Sequence, residues 1–483
     1  MSRRPVGAPI VDWATVRKWR SALKEAGTTT TDLAQQFAPQ IARETARFAQ
    51  GDDILLLVSP SLGGHAALAA ARLLRERGFK PRIATEHEFL TSESVPVADL
   101  ESFPRALSAW DGAVTAFADT RPASVTIDAL FPAEGIYYQQ PEPAWVERWR
   151  WLLERAETTI AIDNVAFGAA VGHKMTQIDR HPVYTLTIAL GTLRDQHVTW
   201  AAMDYTGHLL LAPADPPIES RSRVLGRPVI EAPDSQAHKY SRGMVVVVAG
   251  KMRGAARLTA RAAAATGAGY VMLAGRGVHH GAGLDAVVCK RLDAPHDLDI
   301  LLADQRIDAV VIGPGLGTDD DSRDWLEAAL ESDRRLVLDA DALTLIGKDA
   351  QLDRRTPATW ITPHSGEWEK LTGDPFYEWG KFGETRMWAE AGIGILHKGA
   401  DTVIATPEGT GVLDRTPPSW LSTAGTGDVL AGVLAARLAV RQGAWRCGHE
   451  AAWLHTRAAQ LAGPAFSADR LIDFLPQAIA ECR

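Results

Sequence analysis

DDILLLVSPSLGGHAALAAARLLRERGFKPRI, Asp52 to Ile83, begins with an unbroken apolar run, passes through a turn of small residues, and continues as an Ala/Leu/Arg segment with helical spacing before a second apolar stretch. A continuous apolar run bounded by a turn is the mark of a strand buried on both faces, and the helical segment supplies the crossover that two parallel strands require. The stretch predicts a βαβ unit. Outward from it, further strands are expected at Ala123–Ile127, Thr159–Ile162 and Val183–Ala189, and two helical stretches lie before it, Trp13–Ala26 and Leu33–Phe48, separated by GTTTT. Strands that alternate with helices imply a mostly parallel sheet covered on both faces.

Between about 205 and 240 this periodicity fades into a stretch rich in proline and charge, LLLAPADPPIESRSRVLGRPVIEAPDS. A second α/β series starts at Met244 with MVVVVAG and continues through GYVMLAG, IDAVVIG, RLVLDA, ATWITP and IGILHKG followed by DTVIATP, ending in helices from Asp428 to about Val440 and around His449–Leu461. The expected organisation is therefore a domain over residues 1–215, a linker over 216–236 and a second α/β domain over 237–483. At 483 residues, two domains also suit the length.

The balance of the chain narrows its function. A net charge of -8 without a basic stripe argues against a nucleic-acid surface. Three distant cysteines, Cys289, Cys447 and Cys482, imply neither a disulfide framework nor a zinc site and fit a reducing cytoplasm. No apolar h-region follows the arginines of MSRRPVGAPIVDW and no run of 18 apolar residues occurs, so neither export nor a membrane span is expected.

Chemistry concentrates in the second half. In STAGTGDVLAG, Ser422 to Gly432, Gly425 and Gly427 allow a turn whose amides point one way, and the helix beginning there adds its positive dipole end. The site suits a phosphate, and Asp428, expected to stay ionised there, is available to take a proton from a hydroxyl beside it. Taken alone, Gly-Thr-Gly-Asp is equally readable as a helix cap. Its company decides: WITPHSGEWEKL (Trp360–Leu371), VVIGPGLG (Val310–Gly317), LVLDADAL (Leu336–Leu343) and LHKGADTVIA (Leu396–Ala405) all follow strands, where open α/β sheets form their ligand crevice. His364 by itself reads as an ordinary loop histidine, and Asp339 and Asp341 could equally be strand-end acids that fix a loop. GPGLG lacks the third glycine of the dinucleotide fingerprint, and no P-loop occurs.

In this order, with AHKYSRGMVVVVAGKMRGAARLTARAAAATGAGYV at the start, the stretches resemble the ribokinase-like ADP/ATP-dependent NAD(P)H-hydrate dehydratase family over about Ala237–Leu475. The resemblance implies an anion hole from Gly425, Thr426 and Gly427, with Asp428 activating the hydroxyl of a hydrated nicotinamide for phosphorylation by ADP or ATP. It implies Lys398 and Gly399 near the nucleotide phosphates, a substrate or nucleotide pocket lined by Gly315, Asp339, Asp341 and His364, and Mg²⁺ held through water at Glu367. Self-association is common to both domain types by that resemblance.

Members of this family often carry an N-terminal Rossmann-like three-layer NAD(P)H-hydrate epimerase domain, and the first half matches its length and order. The departures are specific. Where that domain resembles a G-N-N-G-G-D-G loop, this chain has Pro60-Ser61-Leu62-Gly63-Gly64-His65-Ala66, so Leu62 and His65 replace an amide and a carboxylate and a K⁺ site is not expected. Asp128 survives in TIDALFPAEG, but Pro132 takes a glycine position; Asp163 survives in AIDNVAFGAAVG, but Val165, Ala166 and Phe167 replace P-S-G. A degenerate epimerase is the expectation. Two alternatives remain, a kinase of the same fold acting on a hydroxymethylpyrimidine or sugar-like alcohol, and a nucleotide-binding module without turnover. The adjacent histidines of VHHGAG, Val278–Gly283, read as solvent-facing.

Overall fold

The computed structural model describes residues 4–85, 97–131, 142–163, 182–199, 202–278, 285–347, 358–373, 380–440 and 442–483. The chain divides into two compact units, one running to Val224 and including 378–380, the other formed by the rest from Leu225.

In the first unit a short parallel pair joins β1 (Ile10–Val11) to a later strand, and the main sheet comprises β2 (Asp53–Val58), β3 (Lys80–Thr85), β4 (Val114–Ala116), β5 (Val125–Ala129), β6 (Thr158–Ile162), β7 (Leu186–Gly191) and, after β8 (Leu193–Arg194, the partner of β1), β9 (His208–Pro213). The seven strands lie in the order β4-β3-β2-β5-β6-β7-β9, all parallel. The unbroken apolar run in β2 has a direct cause: Ile54, Leu56 and Val58 enter one core and Leu55 and Leu57 the other, so neither face meets water. The helix Leu62–Glu76 connects β2 to β3 as the βαβ reading requires, its N-terminus capped by Ser61, whose Oγ accepts from Gly64 N at 3.1 Å.

The second sheet comprises β10 (Ser222–Leu225), which spans the boundary between the units, then β11 (Met244–Ala249), β12 (Tyr270–Gly275), β13 (Val288–Arg291), β14 (Ala309–Ile312), β15 (Arg335–Leu338), β16 (Thr359–Ile361), β17 (Gly394–His397), β18 (Val403–Thr406) and β19 (Gly409–Leu413). Their order is β10-β19-β18-β17-β16-β15-β14-β11-β12-β13. From β17 to β13 the pairing is parallel, while β17, β18 and β19 form an antiparallel meander. β11 repeats the logic of β2, with Val245 and Val247 in one core and Met244, Val246 and Val248 in the other.

Several features depart from the sequence reading. The stretch of fading periodicity contains β9 and β10, and β1, β4, β8, β13 and β19 went unanticipated, since those five are two to five residues long and too short to show the apolar alternation that marks a strand. The sheet is mixed, because a two-residue link between β18 and β19 permits only a hairpin and not a crossover.

Candidate active site

The site forms where consecutive parallel strands end. β14 runs into Gly313, β15 into Asp339, β16 into His364 three residues on, and β17 directly into Lys398. Parallel register places these carboxyl ends along one edge of the sheet, which is why residues separated by more than eighty positions in sequence converge.

The helix Thr426–Ala439 starts from Gly425, whose φ of 91° a residue with a Cβ would resist. Thr426 Oγ1 donates back to Leu421 O at 2.7 Å and Thr423 O at 2.9 Å, so the turn is tied before the helix begins. Asp428 is the third helical residue, and among the described residues nothing donates a hydrogen bond to its carboxylate, which therefore caps nothing. Burial, reinforced by Asp339 and Asp341 and opposed by Lys398, raises its pKa to about 6. The sequence reading placed it under the helix dipole alone and expected a firmly ionised acid; desolvation and two like charges instead bring it near neutrality, the range a general base works best in.

Lys398 faces the same point. Its Nζ lies 2.8 Å from Asp339 Oδ1 and 3.6 Å from Glu367 Oε2. Burial works against its charge, but Asp339, then Glu367 and Asp428, outweigh that and hold its pKa above the ordinary value. A Cβ added to Gly427 would stand 3.4 Å from Lys398 Nζ and 3.9 Å from Asp339 Oδ2, which brings the helix mouth, the amine and the carboxylate together.

The other predicted residues divide into contacts and supports. Asp341 Oδ2 accepts from Gly317 N at 2.9 Å and so ties down the Gly-Pro-Gly-Leu-Gly loop, in which Gly315 has a φ of 65° and its carbonyl accepts from Met252 N at 2.9 Å. His364 caps the helix Ser365–Thr372: its Nδ1 accepts from Gly366 N and Glu367 N, and Glu367 Oε2 accepts from His364 N at 2.8 Å. The other oxygen, Oε1, lies 3.6 Å from His364 Nε2 and caps no backbone N–H. Gly399 has a φ of 157°, and a Cβ there would meet Lys381 Nζ at 2.5 Å.

Two supports escaped the sequence. Lys381 Nζ donates to Asp401 Oδ1 at 2.6 Å and Lys398 O at 2.9 Å, holding the main chain beneath the site lysine, and burial lowers its pKa. His455 Nε2 lies 2.9 Å from Thr426 O. Neither sits in a motif, so no local signal marks it.

The first unit treats its surviving acids differently. Asp128 is buried, accepts from Tyr184 Oη at 2.6 Å, Trp149 Nε1 at 2.7 Å and Leu130 N at 3.1 Å, and desolvation raises its pKa. Asp163 pairs with buried Arg194, and its Oδ1 accepts from Leu190 N at 2.8 Å. Its own carbonyl accepts from His197 Nε2 at 2.6 Å. Leu62 is buried, and His65, buried as well, donates from Nδ1 to Ser61 O at 2.8 Å and accepts at Nε2 from Ser102 Oγ at 3.0 Å. Burial lowers its pKa, so the ring is neutral. Pro132, Val165, Ala166, Phe167 and the histidines of VHHGAG lie outside the described residues.

Among the described residues no group of three or more metal-ligating side chains is present. No described helix is long and apolar enough to cross a membrane.

The family model described as NAD(P)H-hydrate dehydratase matches residues 245–480. The chain is 31% identical over 420 residues to the bifunctional NAD(P)H-hydrate repair enzyme Nnr of Mycobacterium tuberculosis H37Rv, covering 83% of this chain and 82% of that protein. It is 30% identical to the enzyme of the same name from Salinibacter ruber, over 68% of this chain and 67% of the relative. Among solved structures, an ADP/ATP-dependent NAD(P)H-hydrate dehydratase from Bacillus subtilis is similar with a TM-score of 0.47 and 26% identity, covering 53% of this chain and 95% of its own.

Proposed function

The chain belongs to the family of bifunctional NAD(P)H-hydrate repair enzymes, and from that premise we propose that its second unit dehydrates hydrated NADH or NADPH at the expense of ADP or ATP, with Asp428 as the base. The observation that carries this reading is a half-buried carboxylate of pKa about 6, free of hydrogen-bond donors among the described residues, at a helix mouth beside a half-buried amine.

The geometry suggests a division of labour. Asp428 takes the proton of the ring hydroxyl as its oxygen attacks the terminal phosphorus of the nucleotide, and the bond from that phosphorus to the nucleotide breaks. The amides of Gly425 and Gly427 and the ammonium of Lys398 serve the charge that develops on the phosphoryl oxygens, whereas the Thr426 N–H, expected to join them, donates back to Thr423 O at 3.3 Å. The phosphorylated carbon then loses phosphate as a proton leaves the neighbouring carbon, and the double bond of the reduced nicotinamide returns. Gly315 and Asp341 shape the opposite wall, Gly399 lets the main chain pass beneath Lys398, and His364 fixes the helix that presents Glu367.

The donor set suits Mg²⁺ in one form. One carboxylate, Glu367, with an oxygen left over from capping, is what a cation entering on nucleotide phosphates and held through water requires, and it is no dedicated protein cage. Such an ion would neutralise phosphate charge.

We also infer that the first unit does not epimerise the hydrates, since Asp128 and Asp163 spend their acceptor positions on internal donors. Its role is that of a folded companion domain. The decisive experiment is turnover of authentic hydrated NADH with ADP and with ATP. Absorbance of reduced nicotinamide should appear with one equivalent of phosphate; a stable phosphate ester without that absorbance would make the protein a kinase instead.

A further inference from the structure

His455 lies in the helix Ala444–Ala462, buried, with its Nε2 2.9 Å from the carbonyl oxygen of Thr426. A carbonyl only accepts, so Nε2 carries the hydrogen and the ring donates. Burial drives the pKa of the ring down to about 4, with Lys398 adding to the effect against the Thr426 hydrogen bond, so this donor is a neutral imidazole throughout the working range.

The partner of that bond matters more than the bond itself. The Thr426 carbonyl and the Gly427 N–H belong to one planar trans peptide, so they point in opposite directions and fixing one aims the other. The first intrahelical bond, Val429 N to Gly425 O at 3.1 Å, comes after Gly427, which leaves the Gly427 N–H without a helical acceptor. The Gly427 α-carbon faces Lys398 and Asp339 closely enough that an added Cβ would stand 3.4 Å from the amine and 3.9 Å from the carboxylate. We propose that His455 is a positioning residue of the dehydration: by holding the Thr426 carbonyl from behind, it aims the Gly427 amide at the transferring phosphoryl group. This rests on the dehydratase reading above and adds to it a residue from a helix that touches no reacting atom.

Glutamine can reach as far as the Nε2 of histidine and donate, whereas asparagine is polar but too short, which gives a matched pair of variants in the full chain. His455→Gln should keep kcat within about 3-fold of the unaltered enzyme and His455→Asn should lower it about 10-fold, with KM for nucleotide and hydrate within about 2-fold in both, because a mis-aimed donor is felt mainly in the transition state. An asparagine variant with unaltered kcat, or a glutamine variant as impaired as asparagine, overturns the proposal, and a fall in unfolding temperature alone with normal kcat does the same. The amide resonance of Gly427 supplies a readout independent of turnover. On adding ADP it should shift equally in the unaltered and glutamine proteins and by less than about half as much in the asparagine protein; equal shifts in all three refute the aiming role. Asp428→Asn separates the two levels of argument, since loss of turnover there with normal turnover in His455→Asn leaves the dehydratase reading standing and removes only this one.

Discussion

Each unit keeps acids in the motifs singled out from the sequence, yet Asp128 and Asp163 in the first and Asp428 in the second have opposite fates. In the first unit Asp128 receives an indole, a phenol and an amide, and Asp163 a guanidinium and an amide, so their acceptor positions serve the fold. In the second unit Asp428 receives nothing from the described residues and sits at a raised pKa of about 6. An acid retained in a motif is therefore no evidence of a working site; what counts is whether its charge is already satisfied from within.

The comparison can be broken most directly at its active end. Asp428→Asn should lower kcat by about 10³-fold or more while nucleotide binding, followed by calorimetry, stays within about 3-fold. Retained turnover would put both acid sets in the same category. At the silent end, Asp163→Ala leaves Arg194 buried without its carboxylate and should destabilise the first unit by about 3 kcal/mol or more in denaturant unfolding, with dehydratase kcat unchanged. Addition of either the altered or the unaltered chain should leave the interconversion of R and S hydrates at the spontaneous rate, and acceleration by the unaltered chain would restore an epimerase.

Smaller effects sharpen the electrostatic side. With Asp428 as the proposed base, which must be deprotonated to act, kcat/KM should fall as pH drops through about 6. Lys398 holds that pKa down, and Lys398→Met should move the acidic limb upward by about half a unit to one unit along with a loss in rate. Stability follows the same logic with its sign reversed from the usual carboxylate. Because the folded pKa lies above the ordinary 3.8, the native state binds the extra proton between pH 3.8 and about 6, and this group's contribution to stability is lost as pH rises through that window. Asp428→Asn should thus raise the unfolding temperature of the second unit by about 3 °C at pH 7 and leave it unchanged near pH 3.

Much of the architecture was legible because a parallel strand buried on both faces must be apolar throughout its buried length, as Ile54–Val58 of β2 and all of β11 are, and because their crossovers must be helical. Of the site, Asp428, Gly425, Gly427 and Lys398 were legible since each sits in a short stretch whose composition has a chemical reason. His364 and Asp341 were legible only as positions: that one caps a helix and the other ties a glycine loop depends on which backbone N–H lies within reach.

The chain's own pattern determined two α/β units, the edge of the second sheet at which the candidate site residues gather, and a glycine turn at a helix start with a carboxylate in it. Tertiary structure alone decided which acids remain available, what pKa Asp428 has, and that His455 and Lys381 stand behind the site's main chain. The physical reason is that periodicity and turn chemistry act through near neighbours in sequence, whereas desolvation, charge coupling and hydrogen-bond satisfaction depend on distances in space that only packing sets.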